Sequence, residues 1–296
     1  MGDILPNDLQ TAAPSTLPNR RDFLKKTGTI AGLTSAGAFT QLLPGSPAEA
    51  QYTPGVKPSI ALPPKYDLRS VGAAGTNYIT EVRNQNECNS CTAYAVVAAI
   101  EGAISIKNHV NNPTMHLSEN QLFFCGGSNG CQTNAWYPDG ALTYCRDTGI
   151  TDAALFGTGQ QCQPINPSWP ITKISSFQQL PDASAGPTAG QTAIKQCLTG
   201  IGPYTQSPVV AVLVLYDSLF EFNANSVNNV YRFKDHSPFE VREGGHVVCI
   251  VGYDDHPGYW ICKNSWGPDR GGLGGYYNIA YGDCHIDNFM MYGVVP

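Results

Sequence analysis

The pattern of apolar and polar positions divides the chain into a helical first half and a strand-rich second half. Residues 91–106 are mostly apolar, and Ala93-Tyr94-Ala95-Val96-Val97-Ala98-Ala99-Ile100 is uniformly so. A helix that is apolar all round belongs in the middle of a domain. Ser90, directly before it, is a residue type that caps helix N-termini. Ser118-Glu119-Asn120-Gln121 reads as a capping box, so a short helix is expected to start there. Residues 134–148 and 189–199 also read as helical, stopping at Gly149 and Gly200. Further on the pattern changes. Residues 209–215, 246–253, 258–263 and 275–281 are β-rich runs separated by Gly, Asp and Pro turns. Asp254-Asp255-His256-Pro257-Gly258 is the expected hairpin turn between the second and third runs. Helices first and strands after predict an α+β chain with a cleft between its halves. Cys91 would sit on one wall and His246 on the other.

The N-terminus reads as an address. Asn19-Arg20-Arg21-Asp22-Phe23-Leu24-Lys25-Lys26 precedes a weakly apolar stretch over residues 27–43, and Ala48-Glu49-Ala50 offers the small residues a signal peptidase reads. Paired arginines before Phe-Leu-Lys are similar to a bacterial twin-arginine export signal. Gly28, Gly32, Ser35 and Gly37 interrupt the stretch and argue against a membrane anchor. Cleavage is expected after Ala50, leaving a periplasmic or extracellular protein. Pro54, Pro58, Pro63 and Pro64 make residues 51–65 an extended lead-in. The expected organisation is therefore a signal over 1–50, the lead-in over 51–65, a mainly helical domain over 66–175 and a β-rich domain over 176–296. No run after residue 60 has the eighteen or more apolar residues of a membrane helix. A net charge of -6 with 14% charged residues gives no basic excess, which excludes nucleic acid as the expected partner.

Three distant places carry the candidate chemistry: Gln85-Asn86-Glu87-Cys88-Asn89-Ser90-Cys91, then Gly244-Gly245-His246, then Lys263-Asn264-Ser265-Trp266-Gly267. A thiol at a helix start, a histidine and an amide are the parts of a cysteine nucleophile machine. A helix start favours the Cys91 thiolate, because its unpaired N–H groups carry partial positive charge. His246, at the head of a strand-like run, would pair with that thiolate and protonate a leaving amine. The two glycines before it suggest that a chain or substrate passes close by. Asn264 would hold the imidazole, with Trp266 shielding that hydrogen bond from water. Gln85 and the Cys91 N–H would donate to the oxyanion of a tetrahedral intermediate. No metal or cofactor is required, and the expected partner is a peptide or protein substrate.

These motifs resemble the papain family of cysteine peptidases. The likeness runs from about residue 63 to the C-terminus, in residues 64–69 (PKYDLR), 82–95 (VRNQNECNSCTAYA), 117–122 (LSENQL), 246–253, 259–267 (YWICKNSWG) and 275–288. It implies a helical domain and a β-barrel-like domain with substrate in the cleft between them. It also implies the roles given to Gln85, Cys91, His246 and Asn264, and disulfides Cys88–Cys131 and Cys125–Cys162. The family usually has glycine where this chain has Asn86 and Asn89, and tryptophan in place of Thr92. Where it runs Asn-Gly-Gly after the cysteine matching Cys131, this chain has Gln132-Thr133-Asn134. By the same resemblance Asn89, Ser90, Thr133, Asn134 and Trp266 line the substrate cleft, and Phe289 forms the floor of the main specificity pocket. Only about a dozen residues separate Ala50 from Pro63, so no large inhibitory propeptide is expected in the exported protein. No insertion blocks one end of the cleft, which favours an endopeptidase.

Ten cysteines in an oxidising compartment permit disulfides. With Cys91 free, nine remain, so at least one more is unpaired within the chain. The pairing of Cys145, Cys197, Cys249, Cys262 and Cys284 stays open. Two other functions compete. Cys88-Asn89-Ser90-Cys91 is a Cys-x-x-Cys at a helix start, as in thiol–disulfide oxidoreductases. The other is a non-catalytic peptide-binding protein on the same fold. Zinc on Cys88, Cys91, Cys125 and Cys131 suits the compartment less well than disulfides.

Overall fold

Helix α1 (Cys91–Lys107) runs through the middle of the protein because it has almost no polar face: thirteen of its seventeen residues are buried. The computed structural model describes residues 61–296 apart from 128–129, 133–135, 226–228 and 234–241. The export signal, most of the lead-in, Thr133 and Asn134 lie outside the described residues. Small side chains let α1 approach its neighbours closely. At Gly102 an added Cβ would come within 2.6 Å of Pro208, where the chain enters the sheet.

Helices α2 (Glu119–Gly126) and α3 (Pro138–Asp147) pack on α1, and α4 (Ala153–Phe156) packs on α2. Ser118 caps α2 by accepting from the Gln121 N–H at 3.0 Å. Only half of the expected capping box forms. The Gln121 side chain turns away, accepting from the Thr151 N–H (2.7 Å) and donating to the Gly149 carbonyl (3.1 Å). Helix α3 starts at Pro138, whose missing N–H costs nothing in a first turn. Helices α5 (Ala189–Thr199) and α6 (Asp217–Glu221) belong to the second half. Gly200 ends α5 in the left-handed conformation, as its position predicts.

Seven strands form one sheet: β1 (Lys65–Asp67), β2 (Ser176–Gln179), β3 (Val209–Tyr216), β4 (Arg242–Asp254), β5 (Tyr259–Lys263), β6 (Tyr276–Ala280) and β7 (Met291–Val295). The order is β2-β7-β3-β4-β5-β6, every pairing is antiparallel, and β1 pairs with the far end of β4. The predicted 254–258 turn joins β4 to β5. Strands β2 and β7 and helices α4 and α6 were not legible as pattern. The sequence of β2, SFQQ, has no apolar alternation, and four- or five-residue helices are too short to show a period. Strand β4 begins at Arg242, four residues before the expected start, so His246 lies inside the strand, opposite Leu213.

A buried polar network ties α1 to α2 and β5. Glu101 on α1 is fully buried. Its Oε1 accepts from Arg83 Nη1 (3.0 Å) and the Leu117 N–H (2.8 Å), and its Oε2 accepts from Thr80 Oγ1 (2.6 Å). Arg83 also donates to Glu119 Oε1 and the Met115 carbonyl, both at 2.8 Å. Lys263 donates to Thr80 Oγ1 at 2.9 Å. Burial pushes the Lys263 ammonium down to about 8, against the opposing pull of Glu101.

The cysteines divide into two classes. Disulfides join Cys88 to Cys131 and Cys125 to Cys162. Cys91, Cys145, Cys197, Cys249 and Cys262 are buried free thiols, and Cys284 is buried too. Cys249 faces Lys263 across the β4–β5 pair, and Cys262 faces Ile250. Because side chains alternate along a strand, Cys249 and Cys262 point to opposite faces of the sheet and cannot bridge.

Candidate active site

The loop from Gln85 to Ser90 delivers Cys91 to the first position of α1. Asn86 has φ 51°, a left-handed conformation that Asn tolerates better than most side chains. The Cys88–Cys131 disulfide anchors the loop, and the Asn89 N–H donates to the Cys131 carbonyl at 2.9 Å. Ser90 does not cap the helix as its position predicts. Its hydroxyl donates to the Cys88 carbonyl at 3.4 Å, and its backbone (φ -98°, ψ 14°) is not the extended one a side-chain cap needs.

Strands β4 and β5 supply the opposite wall. Asn264, just past β5, accepts at Oδ1 from two groups: the Ser265 N–H (2.8 Å) and His246 Nε2 (2.8 Å). A backbone N–H can only donate, so this atom of Asn264 is the oxygen. Nε2 must then carry the imidazole proton, which leaves the lone pair on Nδ1. Trp266 stacks on the imidazole, with ring centroids 4.7 Å apart and planes 24° apart. His246 and Asn264 are 4% and 6% exposed, so this hydrogen bond is sheltered from water.

Pairing of the segment before Cys91 with the segment after Asn264 brings the walls together. Asn84 bridges to Trp266, and the Gln85 N–H donates to the Ser265 carbonyl at 2.8 Å. Ser265 Oγ donates to Gln85 Oε1 at 2.5 Å, and Gln85 Nε2 donates to the Cys88 carbonyl at 2.7 Å. The Gln85 amide is thus clamped at both ends, and Nε2 keeps a second hydrogen. Ser265, which motif reading passed over, links the glutamine to the histidine's amide. Its place between Asn264 and Trp266 was the only signal.

At both groups of the site burial opposes the charged form and hydrogen bonds favour it. Burial pushes the Cys91 thiol up, although hydrogen bonds from the Val247 N–H and from Thr92 pull the other way. Burial likewise lowers His246 to about 4, with Asn264 opposing. The Val247 contact also shows that Cys91 lies against β4 next to His246.

The family model described as "Papain family cysteine protease" matches residues 62–294. The chain belongs to this papain family. It is 28% identical over 246 residues to a "Cathepsin L-like proteinase" of Phaedon cochleariae, and 28% identical over 238 residues to "Cathepsin F" of Drosophila melanogaster. These alignments cover 79% and 75% of this chain, but 66% and 34% of the two relatives. Among solved structures, the Carica candamarcensis cysteine protease CMS1MS2 in complex with E-64 is 25% identical with a TM-score of 0.58. That match covers 79% of this chain and 98% of the plant protein. Digestive procathepsin L 3 of Tenebrio molitor larval midgut shares the fold at 24% identity and a TM-score of 0.62, covering 81% of this chain and 72% of its own. The fold is therefore papain-like, a mixed α+β arrangement.

Within this papain-family chain the expected cleft residues fall in different environments. Asn89 is exposed, Ser90 is buried, and Trp266 and Phe289 are half-buried against the core. Thr133 and Asn134 lie outside the described residues. Among the described residues, and apart from the chain neighbours, no atom comes within 4 Å of a Cβ built at Gly244 or Gly245. At Gly244 the φ of 135° requires a glycine instead. Thr92, in place of the family's tryptophan, is buried and donates to the Trp136 carbonyl at 2.5 Å. The redox reading loses its second thiol, because Cys88 is bonded to Cys131. The two disulfides also consume three of the four thiols of the zinc alternative.

Proposed function

We propose that this chain is a cysteine-type endopeptidase that cleaves peptide or protein substrates through an acyl-enzyme on Cys91. The observation that carries this reading is the proton assignment at His246: Nε2–H is committed to Asn264, so Nδ1 is the base. Nδ1 takes the thiol proton as the sulfur attacks the scissile carbonyl. The resulting oxyanion accepts from the Cys91 N–H, free in the first turn of α1, and from the second hydrogen of Gln85 Nε2. His246 then gives its proton to the leaving amine, and the C–N bond breaks. In the second half His246 deprotonates a water that attacks the thioester, releasing the acid and restoring the thiol.

The same reading assigns residues 66–175 and 176–296 to the two walls, with Asn89, Ser90, Trp266 and Phe289 meeting substrate. It also assigns export by the twin-arginine route from a bacterial cell, supported by the paired arginines and by disulfides that need an oxidising compartment. Replacing both Arg20 and Arg21 with Lys is expected to abolish export in a bacterial host; unchanged export overturns that route.

The decisive experiment treats the protein of residues 51–296 with an epoxide-type cysteine-peptidase probe and maps the adduct by mass spectrometry, beside His246→Ala. Labelling confined to Cys91 and lost in the variant is expected. A folded protein that takes no label would refute the catalytic reading in favour of a peptide-binding one.

A further inference from the structure

Next to the imidazole lies a chain of stacked groups that the catalytic steps do not use. Trp266 stacks on His246 at 4.7 Å, Phe220 meets Trp266 edge-on at 5.1 Å, and the Arg270 guanidinium sits 4.8 Å over the Phe220 ring. Phe220, at 47%, is the most exposed large apolar side chain among the described residues. Arg270 is exposed as well, and among the described residues no carboxylate pairs with it, its neighbour Asp269 included. An aromatic face fixes a guanidinium while leaving its N–H edge outward, where it can take a carboxylate in two parallel hydrogen bonds.

The place of this stack gives it a role. In the proposed reaction the acyl half of the substrate is tied to Cys91 and the oxyanion donors. The amine half accepts its proton from His246 and leaves on that side. The apolar surface continuous with the imidazole on that side is Trp266 and then Phe220. The guanidinium therefore lies within about 15 Å of the imidazole, the reach of roughly four extended residues. Resting on the peptidase reading above, we propose that Phe220 and Arg270 form a subsite for a carboxylate on the leaving side of the scissile bond, within its first four residues. Phe220 positions the guanidinium and packs the leaving chain, and Arg270 supplies the charge.

Two sources could supply that carboxylate: an acidic side chain, or the C-terminal carboxylate of a short leaving peptide. The test is a set of internally quenched peptides sharing one acyl half. In one series, Glu or Gln occupies each of the first four leaving positions in turn, under an amidated C-terminus. A second series has neutral leaving segments of one to four residues, with free or amidated ends. We expect kcat/KM to favour the carboxylate about fivefold at one position, the upper end for an exposed ion pair. That preference should shrink in high salt. Arg270→Gln should remove it, and Arg270→Glu should turn it into a preference for Lys. Preference in the first series assigns a side-chain acid, and preference in the second assigns a chain terminus. Cleavage of every peptide with no carboxylate preference in either series, or a preference unchanged in Arg270→Glu, overturns the subsite and leaves the peptidase intact. No cleavage together with no labelling of Cys91 defeats the peptidase reading itself.

Discussion

Two buried polar groupings lie on either side of one peptide bond and serve opposite ends. Lys263 points into the network around Glu101, while Asn264, the next residue, turns to His246. In the first grouping every carboxylate oxygen of Glu101 has a donor, and the positive charges of Arg83 and Lys263 are answered by Glu101 and Glu119. In the second, Asn264 Oδ1 accepts two hydrogen bonds, while the Nδ1 lone pair and the Cys91 thiol are left for the proposed reaction. A buried network of paired charges holds elements in place, even with Arg83 Nε unpartnered among the described residues; a reactive pair holds chemistry at some cost to stability. The first grouping braces α1 and β5 so that the second keeps its geometry.

Breaking the second grouping should leave the fold and remove the activity. Cys91→Ser is expected to lower kcat/KM on any cleaved peptide by at least roughly 10⁴-fold, with an unchanged circular dichroism spectrum. A smaller loss would mean that Cys91 is not the nucleophile. Breaking the first grouping should do the reverse. Glu101→Ala leaves Arg83 with Glu119 alone and takes from Lys263 the carboxylate that chiefly answers its charge, and urea unfolding should show a loss of about 3–5 kcal/mol. Replacing Arg83, Glu101, Glu119 and Lys263 together by Met should cost much less, because no buried charge of the network is left alone. Equal costs for the single and quadruple replacements would show that packing, and not charge balance, is what the network contributes.

The catalytic pair's burden on stability has a defined sign. His246 titrates near 4 in the native state and near 6.5 when unfolded. Between those values the unfolded chain binds more protons, so this contribution is present above pH 6.5 and is lost as pH falls toward 4. The loss is about 3 kcal/mol. Stability measured from pH 7 to 4 should therefore fall less steeply in His246→Ala, and parallel curves would show that the native imidazole is not held neutral. Gln85→Ala should reduce kcat/KM by roughly 10²-fold, mostly in kcat, as loss of one oxyanion donor does. An effect confined to KM would place Gln85 in ground-state binding. The smallest effect separates two serines that the sequence makes look alike. Ser118→Ala should destabilise by about 1 kcal/mol because its cap is formed. Ser90→Ala should show no capping loss, because its hydroxyl is turned to the Cys88 carbonyl.

Those serines mark how far reading the sequence alone can go. Both have the right residue type in the right place, and only the backbone at Ser90, set by the disulfide-anchored loop, prevents the cap. The same limit explains β2, whose polar SFQQ becomes a strand only because β7 offers it an edge. Glu101 looks out of place on an apolar helix until Arg83, Thr80 and Leu117 arrive from elsewhere in the chain. Phe220 and Arg270 carry no motif; only the fold sets them beside Trp266.

The sequence by itself determined the α+β class and the helix that carries Cys91, and it set apart the cysteine, histidine and asparagine proposed here as nucleophile, base and orienting amide. Those features rest on local chemistry: residue type, periodicity and spacing along one chain. Only the tertiary structure decided which thiols pair and which imidazole nitrogen holds the proton. Each of these depends on what comes within hydrogen-bonding distance and on how much water is excluded, and both are set by segments far apart in the chain.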